Sequence, residues 1–154
     1  MADRYSTVND IERLTNTVED FCGWIELLPS ESTAAQEWGP REVLAHLVFW
    51  HEHYLSQSKA ILSGRMPDPP AGRFADMNAK AVEKFQNLSI PLLTIRFRTA
   101  NRRLSLLASG HNAGEIAFSI KQGSKRWRLS DLIPAVEAHI RNHKMKLIKK
   151  HPLG

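Results

Sequence analysis

Through four long stretches of this chain, apolar residues return every three or four positions, and almost nowhere do they alternate. A period near 3.6 belongs to the α-helix and a period of two to the strand, so the pattern predicts an all-α fold. In the first stretch Val8, Ile11, Leu14, Val18, Phe21, Ile25 and Leu28 form the apolar stripe, with acidic residues between them, and Pro29 bounds it. The second opens at Gly39, suited to a cap, with Pro40 at the first helical position and Gly64 just past the end. Its stripe is Val43, Leu47, Trp50, Tyr54 and Ile61.

"SGRMPDPPAGR" is too rich in Pro and Gly for regular structure and reads as a loop, with "MPDPPAG" a candidate lid. A short helical piece, "FADMNAKAVEKF", follows. The third long helix begins near Ser89, tolerates Pro91 in its first turn, and carries Ile90, Leu93, Phe97, Ala100, Leu104 and Leu107 inward. Arg96, Arg98, Arg102 and Arg103 stay off that stripe, and Gly110 stops the helix. Next, "IAFSI" and "RWRL" around "KQGSK" form a candidate hairpin. Ser130 is expected to cap the last helix, with Pro134 near enough its start to do little harm. The expectation is one domain over residues 1–154: a four-helix bundle with a short irregular or hairpin segment before the last helix.

With 42% hydrophobic and 24% charged residues, the chain has enough apolar material for a core. No window approaches eighteen uninterrupted apolar residues, and "MADRYSTVNDIERL" lacks the basic patch and apolar run of a secretory signal, so a cytoplasmic protein without a membrane span is expected. Cys22, the one cysteine, falls on a core face and reads as an inert buried thiol.

The net charge of +5 hides a division. Residues 1–89 carry 8 Lys+Arg against 13 Asp+Glu, net −5, while residues 90–154 carry 13 against 3, net +10. Either basic helices lie beside acidic ones in one compact unit, or the second half offers a basic surface to an anionic ligand. Arg96, Arg102, Arg103, Lys125 and Arg126 are the candidates for the second role. No zinc-finger spacing, aromatic-glycine RNA motif or helix-turn-helix is evident, so nucleic acid is not an expected partner.

In "LIPAVEAHIRNHKMKLIKK" the face that should hold apolar residues holds two histidines. At about 100° per residue from Leu132, His139 and His143 fall within about 20° of it, near Val136 and Leu147, so both imidazoles are expected to point at the core. Their i, i+4 spacing stacks them one turn apart. His46 lies between Val43 and Trp50 on the inner stripe of the second helix. Three inward imidazoles cost free energy unless something takes their lone pairs, and a divalent metal does so. The alternative is that each ring bonds a buried carbonyl or water. Three histidines leave a coordination position open, as in catalytic sites, and imidazole suits Zn, Ni, Fe, Cu and Co alike. Ile140 stands where a zinc protease has its glutamate, which excludes that chemistry.

His53, two turns from His46 and about 10 Å away, is too far to share an ion and is a pocket candidate. So are Trp50, otherwise a core residue, and Trp127, which could anchor the hairpin or stack on a ligand. His51 points about 140° away and is expected to be solvated, while His111 falls in a loop and His151 in the tail.

"WGPREVLAHLVFWHEHYL", "DMNAKAVEKF" and "RWRLSDLIPAVEAHIRNH" together resemble the DinB-like superfamily, most closely its DfsB/ClbS-type branch, over most of the chain. The resemblance implies a four-helix bundle with a divalent metal (Zn, Ni or Fe) bound by His46, His139 and His143. It also implies a small-molecule substrate, with a hydrolase or a transferase using a low-molecular-weight thiol in stress response or detoxification as the activity. The ClbS-type branch is similar to a hydrolase that opens strained cyclopropane rings; some of its members lack the full histidine set, which this sequence retains. Homodimers are common in the superfamily, and the charge division suits one. The other expectation of the same fold is a non-catalytic protein that sequesters a small molecule, with the histidines as polar pocket walls.

Overall fold

The structure is a computed structural model and describes residues 2–29 and 38–151, with side chains from Thr7 onward. In chain order the elements are α1 (Ala2–Glu26), α2 (Pro40–Leu62), α3 (Phe74–Lys84), α4 (Ile90–Gly110), β1 (Ala117–Ser119), β2 (Arg126–Arg128) and α5 (Leu129–Lys150). The four long helices form the bundle the periodicity predicts, and α3 and the hairpin are additions to it. Among the described residues, no helix is long and apolar enough to cross a membrane.

Local chemistry sets the boundaries of α2. The Gly39 amide donates to Glu42 Oε1 at 3.0 Å, closing one orphan donor at the N-terminus, and Pro40 has no N–H to strand. At the other end Gly64 takes φ +75°, so that its amide reaches the Ile61 carbonyl and that of Arg65 the Ala60 carbonyl. That pair of bonds is a Schellman stop, and the left-handed residue it needs is the glycine.

The core is built from the expected stripes. Leu14, Val18, Phe21, Ile25, Leu44, Val48, Leu93, Phe97, Ile133 and Ile140 are all buried, and Phe97 meets Phe21 edge-on at 6.3 Å between centroids. Cys22 is fully buried beside them, and burial pushes its thiol up to about 12, so it stays protonated and inert. Val8 departs from expectation: at 44% exposed it lies on the rim of a surface cleft rather than in the core.

Helix packing is uneven, and the unevenness positions the site. α1 packs extensively on α4 and α5, and α2 on α4, whereas α2 and α5 touch lightly. That open seam is covered from outside by α3, which lies on α2, and by the hairpin, which touches both α2 and α5. The hairpin pairs Phe118 with Trp127 in antiparallel register, and Gly123 makes its turn possible at φ +83°.

Two expectations about ends and faces are corrected. Ser130 does not cap α5: the helix starts at Leu129, with Arg128 as N-cap and no side-chain cap. β2 runs directly into the helix, and the amides of Leu129 and Ser130 bond to the carbonyls of Ile116 and Ala113, so backbone satisfies what a cap would have. His51 is not solvated but 1% exposed. A helix flanked by two neighbours buries more than one stripe, and His51 lies on the face turned to α4, edge-on against Phe97 and 3.1 Å from Asn101 Oδ1.

Candidate metal centre

α2 and α5 bring three imidazoles together across their open seam. His46 comes from the second turn of α2; His139 and His143, one turn apart on α5, meet it from the other side. One ring nitrogen from each lies within 4.8 Å of the others. His46 Nε2 and His139 Nε2 are 3.4 Å apart, and the His139 and His143 rings are perpendicular with centroids at 4.5 Å. In tetrahedral zinc coordination, with Zn–N bonds of about 2.0–2.1 Å, two ligand nitrogens stand about 3.3–3.4 Å apart. The observed edge is that length. With the third nitrogen within 4.8 Å of both, the three imidazoles could hold one divalent ion.

Burial grades across the cluster. His46 is 5% exposed, His143 half-buried and His139 exposed. The expectation that both α5 imidazoles point into the core is corrected accordingly: they face His46, but at the lip of the seam, because α5 leans on α1 and leaves this edge open to solvent.

All three rings are held neutral. Burial, then the neighbouring His143 and His139, push His46 down to about 4; Asn78 favours the charged ring slightly, although no bond of hydrogen-bonding geometry joins the two. Burial, His139 and Lys146 push His143 down to about 4, and burial and Lys146 lower His139. Neutral imidazoles with free lone pairs are what a metal requires. His46 Nδ1 is buried with no partner, and the Trp38 ring lies 5.4 Å from the imidazole.

Beside the triad a cavity of about 340 Å³ opens between α2, α3, the hairpin and α5, with His46 and His139 in its wall. Trp50, Tyr54, Phe74 and Trp127 form its aromatic sides, and Trp50 Nε1 donates to Asn78 Oδ1 at 2.7 Å. Two of the three pocket candidates, Trp50 and Trp127, are thus lining residues. His53 is not: its ring sits edge-on to Trp50 at 5.5 Å, half-buried, with Nε2 unpartnered and burial lowering its pKa.

The "MPDPPAG" loop is strapped down. Gln122 N donates to Pro70 O at 2.8 Å and Lys121 Nζ to Gly72 O at 2.9 Å, while Gln57 Nε2 reaches Asp68 O at 3.4 Å. These bonds tie the loop to the hairpin turn and to α2, and Phe74 follows it into the cavity wall.

Sequence reasoning missed Asn78, Phe74 and Trp38. The first two lie on a helix too short for its faces to be ranked, and Trp38 precedes the first turn of α2, where periodicity says nothing. Of the basic residues offered for an anionic ligand, Arg96 instead forms a two-bond pair with Glu52, at 2.9 and 2.7 Å. Arg126 donates to the Ala117 carbonyl, and Lys125 Nζ sits 3.9 Å over the Trp127 ring. Compared with protein-family models, curated proteins and solved structures, the chain finds no match.

Proposed function

We propose that this protein is a metal-dependent enzyme of the DinB type, acting on an electrophilic small molecule as a hydrolase or thiol-dependent transferase in a stress or detoxification role. The observation that carries the reading is the three-imidazole cluster, with its 3.4 Å nitrogen edge, opening onto an aromatic-walled cleft.

The chain's own residues divide the work. His46, on α2 and shielded from water, would hold the ion from the buried side, and His139 and His143 would hold it from α5. All three stay neutral at pH 7, so no proton competes for the site. A divalent ion bound there would supply Lewis acidity and bring a coordinated water or thiol toward neutral pKa. The aromatic walls exclude water and orient the substrate, and the exposed side at His139 admits the nucleophile.

The apolar walls also suit a second reading, a non-catalytic protein that sequesters an apolar metabolite with the imidazoles as polar walls. Elemental analysis of tag-free protein decides between them. The enzyme reading predicts about one divalent metal per chain, lost in both His46→Ala and His143→Ala. Metal retained in both variants would overturn the ligand assignment, whereas metal absent from the parent, with no change in thermal stability on adding a chelator, favours sequestration.

A further inference from the structure

We infer that the cleft and the triad together take an anionic compound, a carboxylate on an apolar ring body, with the ring among the aromatic side chains of the cleft and the carboxylate at the triad, paired with Lys146. This rests on the proposed function for one partner of the carboxylate, the divalent ion. The other partner, Lys146, belongs to the chain itself.

Register on α5 sets the arrangement. At about 100° per residue, Leu132, Val136, His139, His143 and Lys146 fall within about 80° of one another, so one face of the helix carries in order the cleft wall, the two imidazoles and a lysine. Lys146 stands one turn beyond His143, and a helical side chain leans back toward the N-terminus, which brings its ammonium toward the triad. Its charge is felt there: after burial, and for His143 after His139 as well, Lys146 lowers the pKa of both α5 imidazoles. Lys146 is exposed and makes no ion pair or hydrogen bond with a described residue, so that charge is uncommitted.

Charge also decides what the cleft admits. Trp50, Tyr54, Phe74 and Trp127 suit an apolar ring, and aromatic faces alone would equally suit a cation. The lining holds no carboxylate, however, and the protein's own ammoniums already sit on two of those rings, Lys125 Nζ 3.9 Å from the Trp127 centroid and Lys121 Nζ 5.3 Å from that of Phe74. On α2 the carboxylate one turn before His46 is Glu42, engaged by the Gly39 amide at 3.0 Å and by Arg41 at 3.7 Å. On α5 no acidic residue follows Glu137, which is itself held by Thr17 and Arg141. A cation entering the cleft would meet ammoniums at the hairpin and at the far side of the triad. An anion meets the same groups with favourable sign, and a divalent ion in the triad adds to that sign.

Equilibrium dialysis tests the inference on zinc-loaded and chelator-treated tag-free protein, with metal content determined on each sample. The probes are 2-naphthoate, 2-naphthamide (the same ring, neutral) and 2-naphthylmethylammonium (the same ring, cationic). In the loaded protein 2-naphthoate should bind tightest, at least about tenfold ahead of the amide, with the ammonium weakest, since a carboxylate oxygen is a ligand for such an ion and an ammonium is not. Lys146→Gln, at an exposed position where folding is not at stake, should weaken 2-naphthoate about two- to fivefold in both samples, the range a partly exposed ion pair provides, and leave 2-naphthamide unchanged. Lys144→Gln, the same charge change about 160° round the helix from Lys146, should leave all three probes unchanged. Trp127→Ala should weaken all three at least about threefold. Binding of 2-naphthoate no tighter than the amide, tightest binding of the ammonium, equal effects of Lys146→Gln and Lys144→Gln, or affinities unmoved by Trp127→Ala would each overturn the inference. A Lys146-dependent preference for 2-naphthoate in protein that holds no zinc would leave it standing and remove the enzyme reading; a zinc-loaded triad with no preference for 2-naphthoate would do the reverse.

Discussion

His51 Nε2 faces Asn101 Oδ1 at 3.1 Å, and Asn101 Nδ2 in turn donates to Thr15 Oγ1, so the imidazole must carry its proton on Nε2. Burial pushes its pKa from 6.5 down to about 4, against the opposing pull of Asn101 and Glu52. Above pH 6.5 both folded and unfolded chains hold a neutral ring, and the stabilisation is complete. As the pH falls the unfolded chain takes up a proton that the folded one refuses until about pH 4, so up to about 3 kcal/mol is lost across that window. His51→Gln keeps a donor for Asn101 but cannot titrate. In metal-stripped protein it should lose about 2 kcal/mol less than the parent between pH 7 and pH 5, measured by urea unfolding; equal losses would contradict the assignment. Glu137 is a second buried group that periodicity did not flag. At 4% exposed it accepts from Thr17 Oγ1 at 2.8 Å and from Arg141, locking α5 to α1. Glu137→Ala should cost about 1–2 kcal/mol, chiefly by stranding the buried Thr17 hydroxyl, and a loss below about 0.5 kcal/mol would show the bond contributes little.

At the level of the element, helices were legible because their signal is redundant: in α4, six apolar positions at three- and four-residue spacing outvote any single residue. The hairpin was legible for a different reason, the Gly123 turn between two short segments that carry Phe118 and Trp127. Element ends were less so. The start of α5 depends on carbonyls of Ala113 and Ile116, thirteen to seventeen residues upstream, which no local pattern reveals. That start places Pro134 as the sixth helical residue, where its ring removes one backbone bond and crowds the Ser130 carbonyl. Pro134→Ala should therefore raise stability by about 1 kcal/mol or more; a lower unfolding midpoint would mean the helix gains no bond there. Gly123 has open space around the position a Cβ would occupy, so its constraint is purely conformational. Gly123→Val should cost about 1–2 kcal/mol, and no loss would mean that the turn readily adopts another shape.

Over the whole molecule, the charge division resolves into pairing between halves. Arg98 of α4 bridges Glu19 and Glu26 of α1, and Arg96 bridges Glu52 of α2. These pairs are partly exposed, so Arg98→Ala should cost no more than about 1 kcal/mol, and less in high salt. The triad itself was legible because two helical wheels, drawn independently, turned imidazoles to faces that the bundle then opposed. What the wheels could not show is that α2 and α5 meet loosely, which puts His139 at solvent and makes room for the cavity. The bundle thus concentrates its chemistry on its one open edge. The most direct measurement is X-ray absorption on zinc-loaded, tag-free protein. Coordination by the triad predicts a first shell of about three imidazole nitrogens at 2.0–2.1 Å, plus a light atom from solvent, and its disappearance in His46→Ala. A shell without imidazole scattering, or one unchanged by that substitution, would contradict it.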